Sequence, residues 1–212
     1  WSSSIIYNIA FYNGELYVTG GFNNTTTGMN EIAKWNGSYW ENVGGGIKTP
    51  GNSLACMQVY NNELYVGGYY IQSAGNAGNF IQKWNGTSWS DVGGGMWGEP
   101  AAPFNNGSVL DLKVHNGKLY AAGAFNRAGG VPAERIAIWD GANWCGLGSV
   151  IDNDAIQTIA FMNDSLYIGG IRTIDGDSMN WVAKWAGGAF VDTCGNTTGV
   201  IENKVLENNI SI

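Results

Sequence analysis

At 212 residues the chain is long enough to bury one sizeable core, and glycine supplies 33 of those residues while charged side chains reach only 13%, against a usual ~25%. That profile suits many short strands and tight turns. Ten basic against seventeen acidic residues give a net charge of −7 with no basic stripe to neutralise phosphates, which excludes nucleic acid as the expected partner. No apolar run approaches the ~20 residues of a membrane-spanning helix, so a soluble chain without a transmembrane segment is expected.

Self-similarity frames everything else. The dipeptide Leu-Tyr recurs as Leu16-Tyr17, Leu64-Tyr65, Leu119-Tyr120 and Leu166-Tyr167, with the tyrosines 48, 55 and 47 residues apart. In the first repeat, residues 4–46, the alternating segment Ile5 to Tyr12 predicts a strand, and Asn13-Gly14 predicts a type I′ hairpin turn, because Asn and Gly tolerate positive φ. A second strand carries Leu16-Tyr17 and ends at Gly20-Gly21. After a loop of about ten residues, a third strand ends at Trp35, and Asn36-Gly37 turns the chain into a fourth strand with Trp40. The repeat closes on Val43-Gly44-Gly45-Gly46.

The second repeat, residues 54–95, runs in the same order: Leu54 to Tyr60, the turn Asn61-Asn62, Gly67-Gly68, Trp84, Asn85-Gly86, Trp89 and Val92-Gly93-Gly94-Gly95. The longest insertion follows, Met96 to Ser108, and carries Trp97, Pro100, Pro103 and Phe104. The third repeat, residues 109–149, gives Val109 to His115, Asn116-Gly117, Gly123-Ala124, Trp139, Asp140-Gly141 and Trp144. The fourth, residues 156–195, gives Ile156 to Met162, Asn163-Asp164, Gly169-Gly170, Trp185, Gly187-Gly188 and Phe190. Glycine weakens a strand, so its recurrence in the second strand predicts close backbone approach there.

Four antiparallel strands joined by hairpins form a sheet with one face of Leu, Ile and Val and one of aromatic residues, and it cannot satisfy both in water. Radial stacking of such sheets is the β-propeller solution, with ~40–50 residues per blade and 4–8 blades. Trp1-Ser2-Ser3-Ser4 reads like the segment after a preceding repeat. The expectation is therefore either a ring of four blades closed edge to edge or a larger propeller.

The motif Leu-Tyr-x-Gly-Gly, the loop Ala128-Gly129-Gly130, the stretch Ile136-Ala137-Ile138-Trp139-Asp140-Gly141 and the triple-glycine ends together resemble the kelch-like propeller repeats of secreted bacterial proteins. The resemblance covers about residues 4–195. It implies secretion or surface display and partner binding more than any one activity, since fold alone does not define function. Residues 196–212 resemble the linker and first strand of a type IX secretion sorting domain, stopping before its Tyr-Pro-Asn-Pro pattern, which implies export with a C-terminal sorting domain beyond. Asp164-Ser165-Leu166 and Asp177-Ser178-Met179 resemble the O-glycosylation sites of proteins exported this way, with Ser165 after a turn and Ser178 in a loop. The sequons at Asn36 and Asn85 fall in the repeated turns, whose chemistry explains them without glycans.

The residues of catalytic type are sparse. The single histidine, His115, ends a first strand at a position repeated as Tyr12, Tyr60 and Met162, and no Gly-x-Ser-x-Gly elbow accompanies it. One histidine cannot supply the two copper ligands of the kelch-type radical oxidases, and the three arginines Arg127, Arg135 and Arg172 are too few for a sialidase-like cluster. Asp152-Asn153-Asp154 and Asp175-Gly176-Asp177 are the dense carboxylate clusters, and paired acids from different blades define the competing expectation of a carbohydrate-active enzyme. Asp175, Asp177 and Asn180 also offer oxygens to calcium, without the full EF-hand pattern. The three cysteines, Cys56, Cys145 and Cys194, are expected to remain shielded thiols, because they show no metal-type spacing and a packed thiol behaves as a small apolar residue. The favoured expectation is a non-enzymatic binding module for a protein or glycan, with Trp97, Phe104, Asp152 and Asp154 as candidate contact residues on variable loops.

Overall fold

A computed structural model describes residues 5–24, 29–49, 54–98, 107–147, 155–174 and 177–184, and no α-helix occurs among them. The first sheet runs β1 (Ile5–Tyr12), β2 (Glu15–Asn24), β3 (Met29–Trp35), β4 (Trp40–Asn42), each strand antiparallel to its sequence neighbour. The second sheet repeats that order with β5 (Leu54–Tyr60), β6 (Glu63–Gly68), β7 (Ile81–Trp84) and β8 (Trp89–Asp91). A short strand β9 (Met96–Trp97) follows, then β10 (Ser108–His115), β11 (Lys118–Ala124), β12 (Arg127–Ala128), β13 (Val131–Pro132), β14 (Ile136–Trp139) and β15 (Trp144–Gly146). Strands β10, β11, β14 and β15 make the third four-stranded sheet, and β9, β12 and β13 make a small three-stranded one. The last sheet holds β16 (Thr158–Met162), β17 (Ser165–Ile174) and β18 (Asp177–Lys184). Trp185 and Phe190, the expected end of its third strand and marker of its fourth, lie outside the described residues, as does the tail.

The turns follow from residue chemistry. The first hairpin of every sheet has two residues at positive φ: Asn13 and Gly14 at 49° and 78°, Asn61 and Asn62 at 45° and 60°, Asn116 and Gly117 at 46° and 71°, Asn163 and Asp164 at 49° and 58°. Those are type I′ values, as the Asn and Gly content requires. The turn before the fourth strand is instead closed by a side chain. Asn36 Oδ1 accepts from the N–H groups of Ser38 and Tyr39 at 2.9 and 3.0 Å, Asn85 Oδ1 does the same with Thr87 and Ser88, both at 2.9 Å, and Asp140 Oδ1 with Ala142 and Asn143, both at 2.7 Å. The two N–H groups hold the Asp140 carboxyl below the usual range, since they bond best to its charged form.

Each of the first three sheets carries a β-bulge that sequence periodicity does not reveal. The register slips between Ile6 and Asn8, Leu54 and Cys56, and Val109 and Asp111. Gly20, Gly68 and Gly123 sit opposite the start of the bulge, paired with Ile6, Leu54 and Val109. A Cβ on Gly20 would strike the Ile5 carbonyl oxygen, and one on Gly123 the Ser108 carbonyl oxygen. This is the close backbone approach expected of the glycines, and a bulged strand bending toward its partner produces it.

The sheets stack in chain order through their first strands, β1 against β5, β5 against β10 and β10 against β16. Apolar clusters fill the three spaces between them. Leu54 and Leu64 pack with Tyr17 and Ile32 in the first, Val109 and Leu119 with Tyr65 and Ile81 in the second, and Ile159 and Leu166 with Tyr120 and Ile136 in the third. A fully buried Leu contributes about 1.5–3 kcal/mol through area removed from water. The tryptophan pairs of the second and third sheets, Trp84 with Trp89 and Trp139 with Trp144, have ring centroids 5.1 Å apart in both cases. Each pair rests on the triple-glycine end of the preceding sheet: Trp89 Nε1 donates to the Val43 carbonyl at 3.1 Å and Trp144 Nε1 to the Val92 carbonyl at 2.8 Å. A side chain at Gly44 or Gly93 would occupy the space those indoles fill.

The cysteines depart from expectation. Cys56 is a buried free thiol, with its pKa raised by burial, but Cys145 on β15 is disulfide-bonded. Of the three cysteines, only Cys194 then remains within the chain, and it lies outside the described residues. The expectation of a shielded thiol at Cys145 is therefore overturned, because pairing depends on spatial proximity that sequence spacing does not encode.

Candidate binding surface

The small sheet β9–β12–β13 joins the insertion after the second sheet to the loop between the second and third strands of the third sheet. Arg127 pairs with Trp97 on one side and with Pro132 on the other, while Ala128 pairs with Met96 and Val131. Directly opposed residues leave the same face of a sheet and successive residues leave opposite faces. One row, Trp97–Arg127–Pro132, is accordingly exposed, and the other, Met96–Ala128–Val131, turns inward with Met96 and Ala128 fully buried.

The sequence holds this row rigid. Gly129 and Gly130 take φ of 55° and 88° and make the two-residue hairpin between β12 and β13, a conformation that favours glycine at both places. The Gly129 N–H donates to the Gly95 carbonyl at 2.8 Å and the Asn126 N–H to the Trp97 carbonyl at 2.9 Å, locking the loop onto the triple-glycine end of the second sheet. Trp97 Nε1 donates to the Gly94 carbonyl at 3.1 Å, and Arg127 Nη1 to the Gly130 carbonyl at 3.0 Å. The Trp97 ring is thereby oriented while 40% exposed, and the guanidinium is anchored by one of its five N–H donors. An aromatic face beside a fixed guanidinium and a proline ring can stack on a sugar or seat a planar polar group.

Of the residues singled out from sequence, the structure places Trp97 in this surface. Phe104, Asp152, Asp154 and Asp175 lie outside the described residues. Asp177, Ser178 and Asn180 are not in a loop, as the sequence reading has them: β18 begins at Asp177, which pairs with Ile174, and Ser178 pairs with Thr173. Ser165 opens β17 and is half-buried.

Several other charged and polar groups tie sheets together. The His115 ring stacks on Phe161 at 3.9 Å and 4° between planes, and its Nε2 lies 3.3 Å from Asp164 Oδ1. This joins the third sheet to the fourth. Asp111 Oδ2 accepts from the Ile159 N–H and the Thr158 hydroxyl, both at 2.8 Å, across the same interface. Glu31 Oε2 accepts from the Leu54 N–H at 2.9 Å between the first and second sheets. Arg135 is buried, donating through Nη1 to the Phe125 carbonyl at 3.1 Å, whereas Arg127 is exposed. Among the described residues no group of three or more His, Cys, Asp or Glu is placed to hold a metal ion, and no helix is long and apolar enough to cross a membrane.

The sequence reading passed over Arg127 and Pro132 as surface residues. Arg127 pairs with Trp97 across 30 residues of sequence, because β9 joins a loop hairpin rather than its own repeat, and Pro132 enters the row only through its pairing with Arg127. Among the described residues, architecture and surface together define an all-β array that includes three four-stranded antiparallel sheets, with an aromatic–guanidinium row on its loops. Compared with known proteins, the chain matches no family model and no curated relative.

Proposed function

We propose that the chain is a kelch-like β-propeller module, secreted or displayed at the cell surface, that binds a protein or glycan partner and catalyses no reaction. The observation that carries this reading is the Trp97–Arg127–Pro132 row, an exposed aromatic and a cation held in fixed register by backbone hydrogen bonds. Binding surfaces are commonly built this way, as loop variation on a rigid scaffold. The contiguous first strands of successive sheets support a radial arrangement. The disulfide at Cys145 supports export, because such bonds persist in oxidising compartments, and the tail's likeness to a type IX sorting segment points the same way.

The test pairs a glycan array with capture of partners from the native cell surface, using the wild type and the Trp97→Ala and Arg127→Ala variants. Binding of a defined glycan or protein that falls about tenfold or more in either variant supports the reading. Turnover of a glycoside or ester substrate, abolished on replacing Asp152, Asp154, Asp175 or Asp177, would establish the carbohydrate-active alternative instead.

A further inference from the structure

The chain takes the same course after the triple-glycine end of the first sheet as after that of the second. Ile47 and Met96 are fully buried, and their N–H groups donate to the carbonyls of Asn30 and Asn79, both at 3.1 Å. Lys48 therefore stands where Trp97 stands, exposed beside a loop of the next sheet. The two loops differ. In the third sheet Ala128-Gly129-Gly130 pairs through its backbone with β9 and closes on the glycines, the Gly129 N–H donating to the Gly95 carbonyl. In the second sheet the same place reads Ala74-Gly75-Asn76, and it is the Asn76 side chain that reaches Lys48. Asn76 Oδ1 accepts from the Lys48 N–H at 2.8 Å, and Nδ2 donates to the Lys48 carbonyl at 2.7 Å.

A bridge through a side chain is longer than a direct backbone pairing, and the added length holds the loop off the glycines. Nothing lies within 4 Å of a Cβ on Gly45, whereas one on Gly94 would meet Gly129 Cα at 3.6 Å. The result is a cleft of about 550 Å³, within the ~300–1,000 Å³ of small-molecule sites. The triple glycine, the loop at Gly75 and the Trp84–Trp89 pair wall it, and Lys48, Gln82 and Thr87 line it. The two sheets that form it are both four-stranded, and every lining residue is among the described ones.

Three polar groups in the cleft have hydrogen-bonding capacity left. Lys34, Lys83 and Lys113 each meet a carboxylate, but Lys48 has no acidic partner among the described residues, and no Asp or Glu lines the cleft. The Lys48 ammonium lies over Gly75, where a Cβ would be 2.8 Å from Nζ. Gln82 is buried and accepts through Oε1 from the Ala77 N–H at 2.9 Å, while its Nε2 has no acceptor among the described residues. Thr87 Oγ1 donates to Asn85 Oδ1 at 2.9 Å and keeps its lone pairs. The Trp89 indole beside them is held by its bond to the Val43 carbonyl. We propose that this cleft binds a sugar acid, with the carboxylate on Lys48, ring hydroxyls on Gln82 and Thr87, and the apolar face of the ring against Trp89. An aromatic ring beside polar groups suits a sugar, and a cation without a counter-ion favours a carboxylated sugar over a neutral one. The site lies at a different junction from the Trp97 row and does not depend on it.

The experiment is a titration of the isotope-labelled 212-residue chain, followed through its amide chemical shifts, with glucuronate, with glucose and with acetate. Glucose has a hydroxymethyl group in place of the carboxylate, and acetate has the carboxylate without the ring. Glucuronate should shift the amides of Gly45, Asn76 and Thr87 saturably, and glucose and acetate should each bind about tenfold more weakly or worse. Added salt should weaken the binding of glucuronate and leave that of glucose unchanged. Lys48→Met removes the charge but not the Asn76 bonds, which go to the Lys48 backbone, and it should bring glucuronate down to the affinity of glucose. Trp97→Ala should leave glucuronate binding unchanged, which separates this site from the Trp97 row. The proposal is overturned if glucuronate produces no saturable shift at those amides, or if glucose or acetate binds as tightly as glucuronate. A Lys48→Met chain that binds glucuronate like the wild type overturns it as well.

Discussion

The hydroxyl of Tyr60 donates to the carbonyl of Gly117 at 3.0 Å, so the last residue of one sheet's first strand is fastened to the hairpin turn of the next. Tyr12 makes the same bond to the Asn62 carbonyl at 3.2 Å, and His115 meets Asp164 at the corresponding place. Removing only the hydroxyl, in Tyr60→Phe, should cost about 1 kcal/mol. Tyr60→Ala, which also empties a buried site, should cost about 3–5 kcal/mol. Urea denaturation of the two variants measures both.

The triple-glycine ends offer a sharper contrast. Gly93 has φ of 57°, and a Cβ there would lie 2.5 Å from Trp139 Cζ3, whereas Gly45 has φ of 88° and nothing within 4 Å. Gly45→Ala should cost about 1–2 kcal/mol, from backbone conformation alone. Gly93→Ala adds overpacking against the tryptophan pair, about 1–3 kcal/mol more. Thermal unfolding should rank the two variants in that order, with Trp fluorescence perturbed only by Gly93→Ala.

Asp111 couples the third and fourth sheets. Besides Ile159 and Thr158 it accepts from Lys113 Nζ at 2.8 Å, and Asp111→Ala leaves the buried Ile159 N–H without its acceptor. A loss of about 3 kcal/mol is expected. Hydrogen exchange should localise the loss, with amides of β16 and β17 exchanging faster while those of β1 to β3 keep their rates.

The disulfide at Cys145 should appear in a non-reducing peptide map as a link to Cys194, and Cys56 should resist alkylation until the chain unfolds. Closing a loop of that span stabilises by about 4 kcal/mol on a chain-entropy estimate. Reduction should therefore lower the denaturation midpoint, and Cys145→Ser should reproduce the shift.

Alkaline pH should unfold the array cooperatively. Burial pushes the Tyr65 phenol up to about 12 and raises Tyr17 and Tyr120 in the same direction. Because the folded pKa lies above the unfolded one, this stability is complete below about pH 10 and lost as pH rises from there through about 12. Phenolate absorbance and circular dichroism recorded together should change in one transition. Phenolate formation that precedes unfolding would contradict it.

The repeat itself was legible. The Leu-Tyr dipeptides, the Asn-Gly type turns and the paired tryptophans are local signals, and the strands predicted at Ile5 to Tyr12 and Leu54 to Tyr60 coincide with β1 and β5. Such signals work because hairpin turns and strand alternation depend on residues close in the chain, where φ preference and side-chain period act directly. The glycines opposite Ile6 and Val109 were rightly read as close approaches, though the bulge that causes them leaves no period of its own.

The candidate surface was legible only in part. Trp97 stood out as an aromatic in an insertion, but Arg127 became its neighbour through pairing between β9 and a loop hairpin, which no sequence interval announces. The disulfide at Cys145 is of the same kind. Turns and strand order are chosen by local conformational energy that each repeat carries within itself. Which side chains meet is decided by how the sheets stack, because burial depends on neighbours far apart in the chain.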